Sequence, residues 1–102
     1  MNAADIPYSL LRSCQRQGYR QLRRLPSGEI AGISRLLYTT ALFVGIDGTG
    51  YRLRYCYEND LHALEALKQW DGTGDPPGPW IKAKGRGIDG KQRDDIGPGA
   101  ID

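Results

Sequence analysis

The chain has few of the residues from which catalytic and metal sites are usually built. His62 is its single histidine, and Cys14 and Cys56 are its only cysteines. A lone histidine with no cysteine or acid at metal-ligand spacing is a poor zinc ligand. A nucleophilic cysteine also needs a nearby base, and His62 lies six residues beyond Cys56 across a strand-to-helix corner. We therefore expect no catalytic set, no metal and no cofactor, and a protein that is not an enzyme.

Long apolar runs are also missing. The longest apolar-leaning run, 36–46, has the length of a strand and falls far short of the ~20 residues of a membrane span. The start of the chain lacks the basic segment and apolar stretch of a signal peptide. We expect a cytoplasmic protein with no membrane partner, in which both cysteines stay reduced.

Lysine is absent from the first 58 residues, which carry eight arginines and four acids. The next segment, 59–78, is acidic, and the remainder is weakly basic, so the net charge of the chain is only +2. The planar fork of arginine suits phosphate and carboxylate better than the point charge of lysine does. Five arginines fall on predicted strands and form the candidate surface for a partner or a nucleic acid: Arg20, Arg23, Arg24, Arg52 and Arg54. The alternative, that these arginines are ordinary solvent-exposed side chains on an open sheet face, stays open.

Hydrophobic periodicity predicts a small α+β domain. Strands are expected at 19–25, 29–34, 36–46 and 51–58, followed by a helix from Asn59 to about Trp70 and preceded by a possible short helix within 5–17. The hairpin-like spacing favours an antiparallel order. The predicted architecture is a three- to four-stranded antiparallel sheet with one helix packed across it.

The strand at 51–58 alternates aromatic and basic side chains. Tyr51, Tyr55 and Tyr57 should share one face, and Arg52 and Arg54 the other. We expect the helix to cover the tyrosines. The arginine face would then lack aromatic residues, which is typical of a phosphate or carboxylate surface and not of a base-stacking platform.

The composition changes after Gly72. A loop rich in proline and glycine leads to Trp80, which either packs onto the domain or stays exposed as an anchor for a partner. From Gly85 the sequence is glycine-rich, charged and aperiodic. We therefore predict a single domain over 1–84 and a flexible glycine-rich tail over 85–102.

Two motifs carry a resemblance to known proteins. The combination of WDG at 70–72 with PPGPWIK at 76–82 resembles a family of small proteobacterial and phage-type proteins without an assigned activity. That resemblance implies a mobile-element accessory protein, of the kind that includes anti-CRISPR inhibitors. At the level of fold, the sheet-then-helix order is similar to AP2-type and phage-integrase arm-binding DNA domains.

Two functions are expected from these observations. The first is a non-enzymatic binding protein that docks on a host protein or ribonucleoprotein complex in the host cytoplasm and inhibits a defence system. The alternative is a nucleic-acid-binding module that uses the arginine-bearing sheet face. In either case Trp80 and the five arginines are the predicted binding residues.

Overall fold

A computed structural model describes residues 6–87 and 89–100. In chain order the elements are α1 (Tyr8–Arg16), β1 (Arg20–Arg24), β2 (Ile30–Arg35), β3 (Thr40–Val44), β4 (Leu53–Tyr57), α2 (Asp60–Gln69), β5 (Lys82–Arg86) and β6 (Gln92–Ile96). The six strands form one open antiparallel sheet in the order β1-β2-β3-β4-β5-β6. The fold is a small α+β fold, but the predicted three- to four-stranded sheet with one helix is wrong.

The two additional strands come from the C-terminal part of the chain. β5 crosses the predicted limit between domain and tail at residue 84, and β6 lies wholly within the predicted tail. Only Ala83 of β5 is fully buried, and β6 is an outer edge strand with mostly exposed side chains. Such strands need no apolar alternation, so their charged sequences hid them from a periodicity argument.

One face of the sheet packs against α2. The largest buried side chains of this core include Tyr55 and Tyr57 of β4, with Leu67 on the helix and Trp80 before β5. Asn59 caps α2 as predicted, because its side chain accepts a hydrogen bond of 2.9 Å from the backbone N–H of His62.

The inward face of α2 does not include the leucine of its first turn. Leu67 is buried and Leu64 packs against the core, whereas Leu61 is 62% exposed.

The opposite face carries a second, smaller core beneath α1. Cys14 of α1 is buried there with Tyr19, Leu22 and Phe43. The predicted strand at 36–46 is shorter in the structure, since β3 begins only at Thr40. Residues 36–39 form the turn between β2 and β3, which leaves Leu37 and Tyr38 exposed.

Candidate functional site

The three predicted binding arginines of β1 make contacts within the molecule. Arg20 donates a 3.4 Å hydrogen bond to Asp60 at the start of α2. Arg23 donates to the carbonyl oxygens of Leu67 and Lys68, at 2.8 and 3.0 Å, near the end of that helix. Arg24 donates to the carbonyl oxygen of Gly28 across the β1–β2 turn, at 2.7 Å. These arginines therefore do not form one continuous surface with Arg52 and Arg54.

Arg52 forms an intramolecular ion pair with Glu29. Its Nε and Nη2 each donate a 2.9 Å bond to the two carboxylate oxygens of Glu29, and its Nη1 donates to the carbonyl oxygen of Arg86. This bidentate geometry is the strongest that a guanidinium makes with a carboxylate. A side chain at Gly45, whose φ is +73°, would meet Arg52 and Glu29, so the pair lies over a position that requires glycine.

Arg54 lies on the sheet face opposite α2, as the alternation of β4 predicted. Its neighbours Leu53 and Tyr55 point into the α2 core. On β5, Ala83 also points into that core, which places Lys82 and Lys84 on the face of Arg54. We define the basic face as the side chains of Arg54, Lys82, Lys84 and Arg86.

Two positively charged residues are register partners across this face. Arg54 of β4 lies opposite Lys84 of β5, and on its other side Lys84 lies opposite Asp94 of β6. Lys82 forms a 3.3 Å ion pair with Asp94 of β6, whereas in the described part of the chain Arg54, Lys84 and Arg86 have no ion pair. The Nε of Arg54 is buried without a hydrogen-bond partner among those residues. Lys82, Lys84 and Arg86 were not predicted as binding residues, because the alternation Lys-Ala-Lys-Gly-Arg contains too little apolar character to indicate a strand by itself.

A partly exposed aromatic ring borders the basic face, contrary to the predicted alternation. β4 begins at Leu53, so Tyr51 precedes the strand and does not follow its period. Its ring, 40% exposed, packs edge-on against Phe43 at a centroid distance of 4.6 Å. Tyr51 lines a cleft of about 460 Å³ together with Arg86 and Gln92.

The other two tyrosines of the predicted aromatic face are buried beneath α2, as expected. The hydroxyl of Tyr55 donates to Asp75 and that of Tyr57 donates to the carbonyl oxygen of Pro77, both at 2.8 Å. Burial raises the pKa of both phenols well above their usual value. Neither hydroxyl is available to a ligand.

Trp80 is part of the core and not of an exposed surface. Only 6% of it is exposed, and its ring packs edge-on against Tyr55 at 5.2 Å. This position agrees with the packing alternative of the sequence analysis. The alternative, in which Trp80 is exposed and anchors a partner, does not agree with this structure.

In the part of the chain that the structure describes, the remaining reactive side chains do not assemble into a site. Cys14 and Cys56 are free and buried. The Nδ1 of His62 is buried and has no hydrogen-bond partner within 6–87 and 89–100. In the same residues no three histidine, cysteine or acidic side chains are grouped closely enough to hold a metal ion. No helix there is long and apolar enough to cross a membrane.

Comparison with known proteins adds no relative. No family model, no curated protein and no solved structure matches the chain. The resemblance carried by the WDG and PPGPWIK motifs therefore stays a prediction.

Proposed function

We propose that this protein is a non-enzymatic binding protein whose basic face holds the phosphate backbone of a nucleic acid. The observation that carries this proposal is the direct opposition of Arg54 and Lys84. Like charges opposite each other across two strands destabilise a sheet. Asp94, opposite Lys84 on β6, forms its ion pair with Lys82 and not with Lys84. An anion bound between Arg54 and Lys84 would therefore reduce a repulsion that is present in the free protein.

The spacing of the basic face suits a repeating anion. Lys82, Lys84 and Arg86 project from alternate positions of β5, which places neighbouring side chains about 6.6 Å apart along the strand. Arg54 lies on the adjacent strand, about 4.8 Å away across the sheet. The four cations and Asp94 sum to about +3 over this area, which favours a polyanion over a single small anion.

Tyr51 supplies the second element of such a surface. Its half-exposed ring borders the cleft that Arg86 and Gln92 also line. An aromatic ring beside cations can stack on a base while the cations contact phosphates. We therefore expect single strands to bind more tightly than duplexes of the same length.

The accessory role inferred from the sequence is compatible with this activity. A protein that binds the nucleic acid carried by a host defence complex can dock on that complex and interfere with it. This form of the anti-CRISPR-like hypothesis requires no catalytic residue, and its place of action is the host cytoplasm.

Docking on a host protein is the second candidate function. One observation favours it: Leu37 and Tyr38 are both more than 80% exposed at the tip of the β2–β3 turn. Contiguous exposed apolar surface is a feature of protein interaction sites. Capture of a defined partner under stringent washing, lost on Leu37→Ser with Tyr38→Ser, tests this candidate.

The nucleic-acid proposal is tested by fluorescence anisotropy with a labelled 12-nucleotide single strand at increasing salt. Three to four neutralised phosphates predict a slope of log K against log salt of about −2 to −3. Lys84→Glu should strongly weaken binding at moderate salt. Lys68→Glu, an exposed charge reversal on α2, is the matched control and should bind almost as wild type does.

Two results would overturn the nucleic-acid proposal. One is the absence of binding to single strands and duplexes at low salt by a protein that is folded by circular dichroism. The other is equal weakening by Lys68→Glu and by the β5 variant, since that would reduce the interaction to net charge.

A further inference from the structure

A groove runs along the exposed edge of β1, between α1 and α2. Its volume is about 430 Å³, within the range of small-ligand and peptide sites. Leu11 of α1 and Leu64 of α2 contribute apolar walls on its two sides. We call it the β1 groove. It lies away from the basic face, with which it shares no residue.

All charged side chains that line the β1 groove are positive. Arg20, Arg23 and Lys68 line it, and none of its described lining residues is acidic. The bond from Arg20 to Asp60 is long, at 3.4 Å, and Asp60 is shared with Arg35. In the described part of the chain Lys68 has no ion pair. The groove therefore combines apolar walls with two cations, Arg23 and Lys68, that form no ion pair in the described part of the chain.

Arg23 is held in place while part of its donor set is unused. Its Nη1 bonds to the carbonyl oxygens of Leu67 and Lys68 fix the guanidinium against the end of α2. Its Nε is buried and has no partner among residues 6–87 and 89–100. An unsatisfied buried donor is costly. The guanidinium keeps its positive charge at the wall of the groove, and this charge attracts a carboxylate seated there.

The backbone of the groove is irregular at Gln21. This residue has a φ of +55°, which a non-glycine residue rarely adopts, and the pairing of β1 with β2 shifts register between Arg20 and Arg23. Gln21 itself lines the groove. A bulge of this kind interrupts the edge, so β1 presents side chains to a ligand and does not template a full additional strand.

We propose that the β1 groove binds a short acidic and apolar segment of a partner protein. A large apolar side chain of that segment lies between Leu11 and Leu64, and its carboxylates face Arg23 and Lys68. The flanking leucines disfavour a nucleic-acid backbone, which offers no apolar side chain to bury. This inference does not depend on the basic face and stands if nucleic-acid binding fails.

Three fluorescein-labelled ten-residue peptides test the proposal: alternating Asp and Leu, alternating Lys and Leu, and alternating Asp and Ser. The Asp–Leu peptide should bind at least about tenfold more tightly than either of the others, because only it satisfies both the charge and the apolar walls. Lys68→Glu should weaken its binding by about tenfold or more. Gln15→Trp, on the exposed side of α1, should obstruct the groove without a change of charge.

Lys84→Glu on the basic face is the matched control and should bind the Asp–Leu peptide as wild type does. Equal binding of all three peptides would overturn the proposal, as would a Lys68→Glu variant of unchanged affinity. Displacement of the peptide by an unlabelled single-stranded oligonucleotide would assign the groove to nucleic acid instead. A dimer seen by sedimentation of the protein alone, and lost in Lys68→Glu, would assign it to a second copy of the chain.

Discussion

Arg93 of β6 and Asp75 of the loop after α2 form a hydrogen-bonded ion pair of 2.7 Å. The hydroxyl of Tyr55 donates to the same Asp75 oxygen at 2.8 Å and accepts a 3.2 Å bond from Arg93. These contacts join the central strand β4, the loop and the outermost strand. The C-terminal segment is thereby fastened to the core, which explains how a charged, aperiodic sequence becomes part of the sheet.

The ion pair predicts a defined dependence of stability on pH. The hydrogen bond from Arg93, followed by that from Tyr55, holds the pKa of Asp75 below its usual value, despite partial burial. A lowered folded pKa contributes stability that is complete above the unfolded value of about 4 and is lost as the pH falls through the folded value. Asp75→Asn should therefore cost about 1 kcal/mol at pH 7 and progressively less toward pH 2.

Urea unfolding from pH 7 to pH 2 measures this difference. Asp89→Asn, on an exposed turn residue, is a suitable control for the loss of one carboxylate. A difference between wild type and Asp75→Asn that stays constant over this pH range would contradict the assignment.

A chain that ends at Gly87 tests whether β6 is structural. The truncation removes Arg93 from its network with Asp75 and Tyr55 and uncovers the ring of Trp80, which lies against Gly97. The loss of a partly buried ion pair together with the exposure of an aromatic ring should lower the free energy of unfolding by more than about 2 kcal/mol. An unchanged urea midpoint would restore the interpretation of this segment as a tail.

Local sequence patterns were sufficient to predict the strand and the helix at the centre of the molecule. The apolar run at 36–46 predicted a strand, and all five residues of β3 are buried, as is typical of a strand covered on both faces. Asn59 before an apolar helical period located the start of α2. In both cases the information lies within a few residues of the element that it determines.

The candidate sites depend on pairings between distant residues, which no local pattern reveals. Arg52 was predicted to face a ligand, but it meets Glu29, 23 positions earlier in the chain. Arg54 opposes Lys84, which belongs to a strand that was not predicted from the sequence. Register across a sheet decides which charges oppose each other, and register follows from the assembled fold.

The two cysteines should be unreactive in the folded protein. Burial raises the pKa of Cys14, which is fully buried, and Cys56 is only 8% exposed. An aromatic disulfide reagent should modify both thiols at least about 100-fold more slowly at neutral pH than it does in 6 M urea, because reaction requires local opening. Rapid modification of Cys56 in the native state would revive the hypothesis of a catalytic thiol.

Trp80→Ala separates packing from binding most directly. The Trp80 ring packs edge-on against Tyr55, which itself contacts Trp70, so truncation leaves a large cavity in the α2 core. We expect the free energy of unfolding to fall by about 3 kcal/mol or more. Ile96→Ala, at a residue that is 79% exposed, should change it by less than about 0.5 kcal/mol.

Binding of the labelled single strand to folded Trp80→Ala completes this test. Since Trp80 belongs to the core on the α2 side, the affinity of the basic face on the opposite side should remain within about threefold of wild type where circular dichroism shows the variant folded. Unchanged stability with loss of binding would reverse the assignment and make Trp80 a contact residue. Reduced stability with retained binding would place it, as the buried ring indicates, among the residues that support the sheet beneath the basic face.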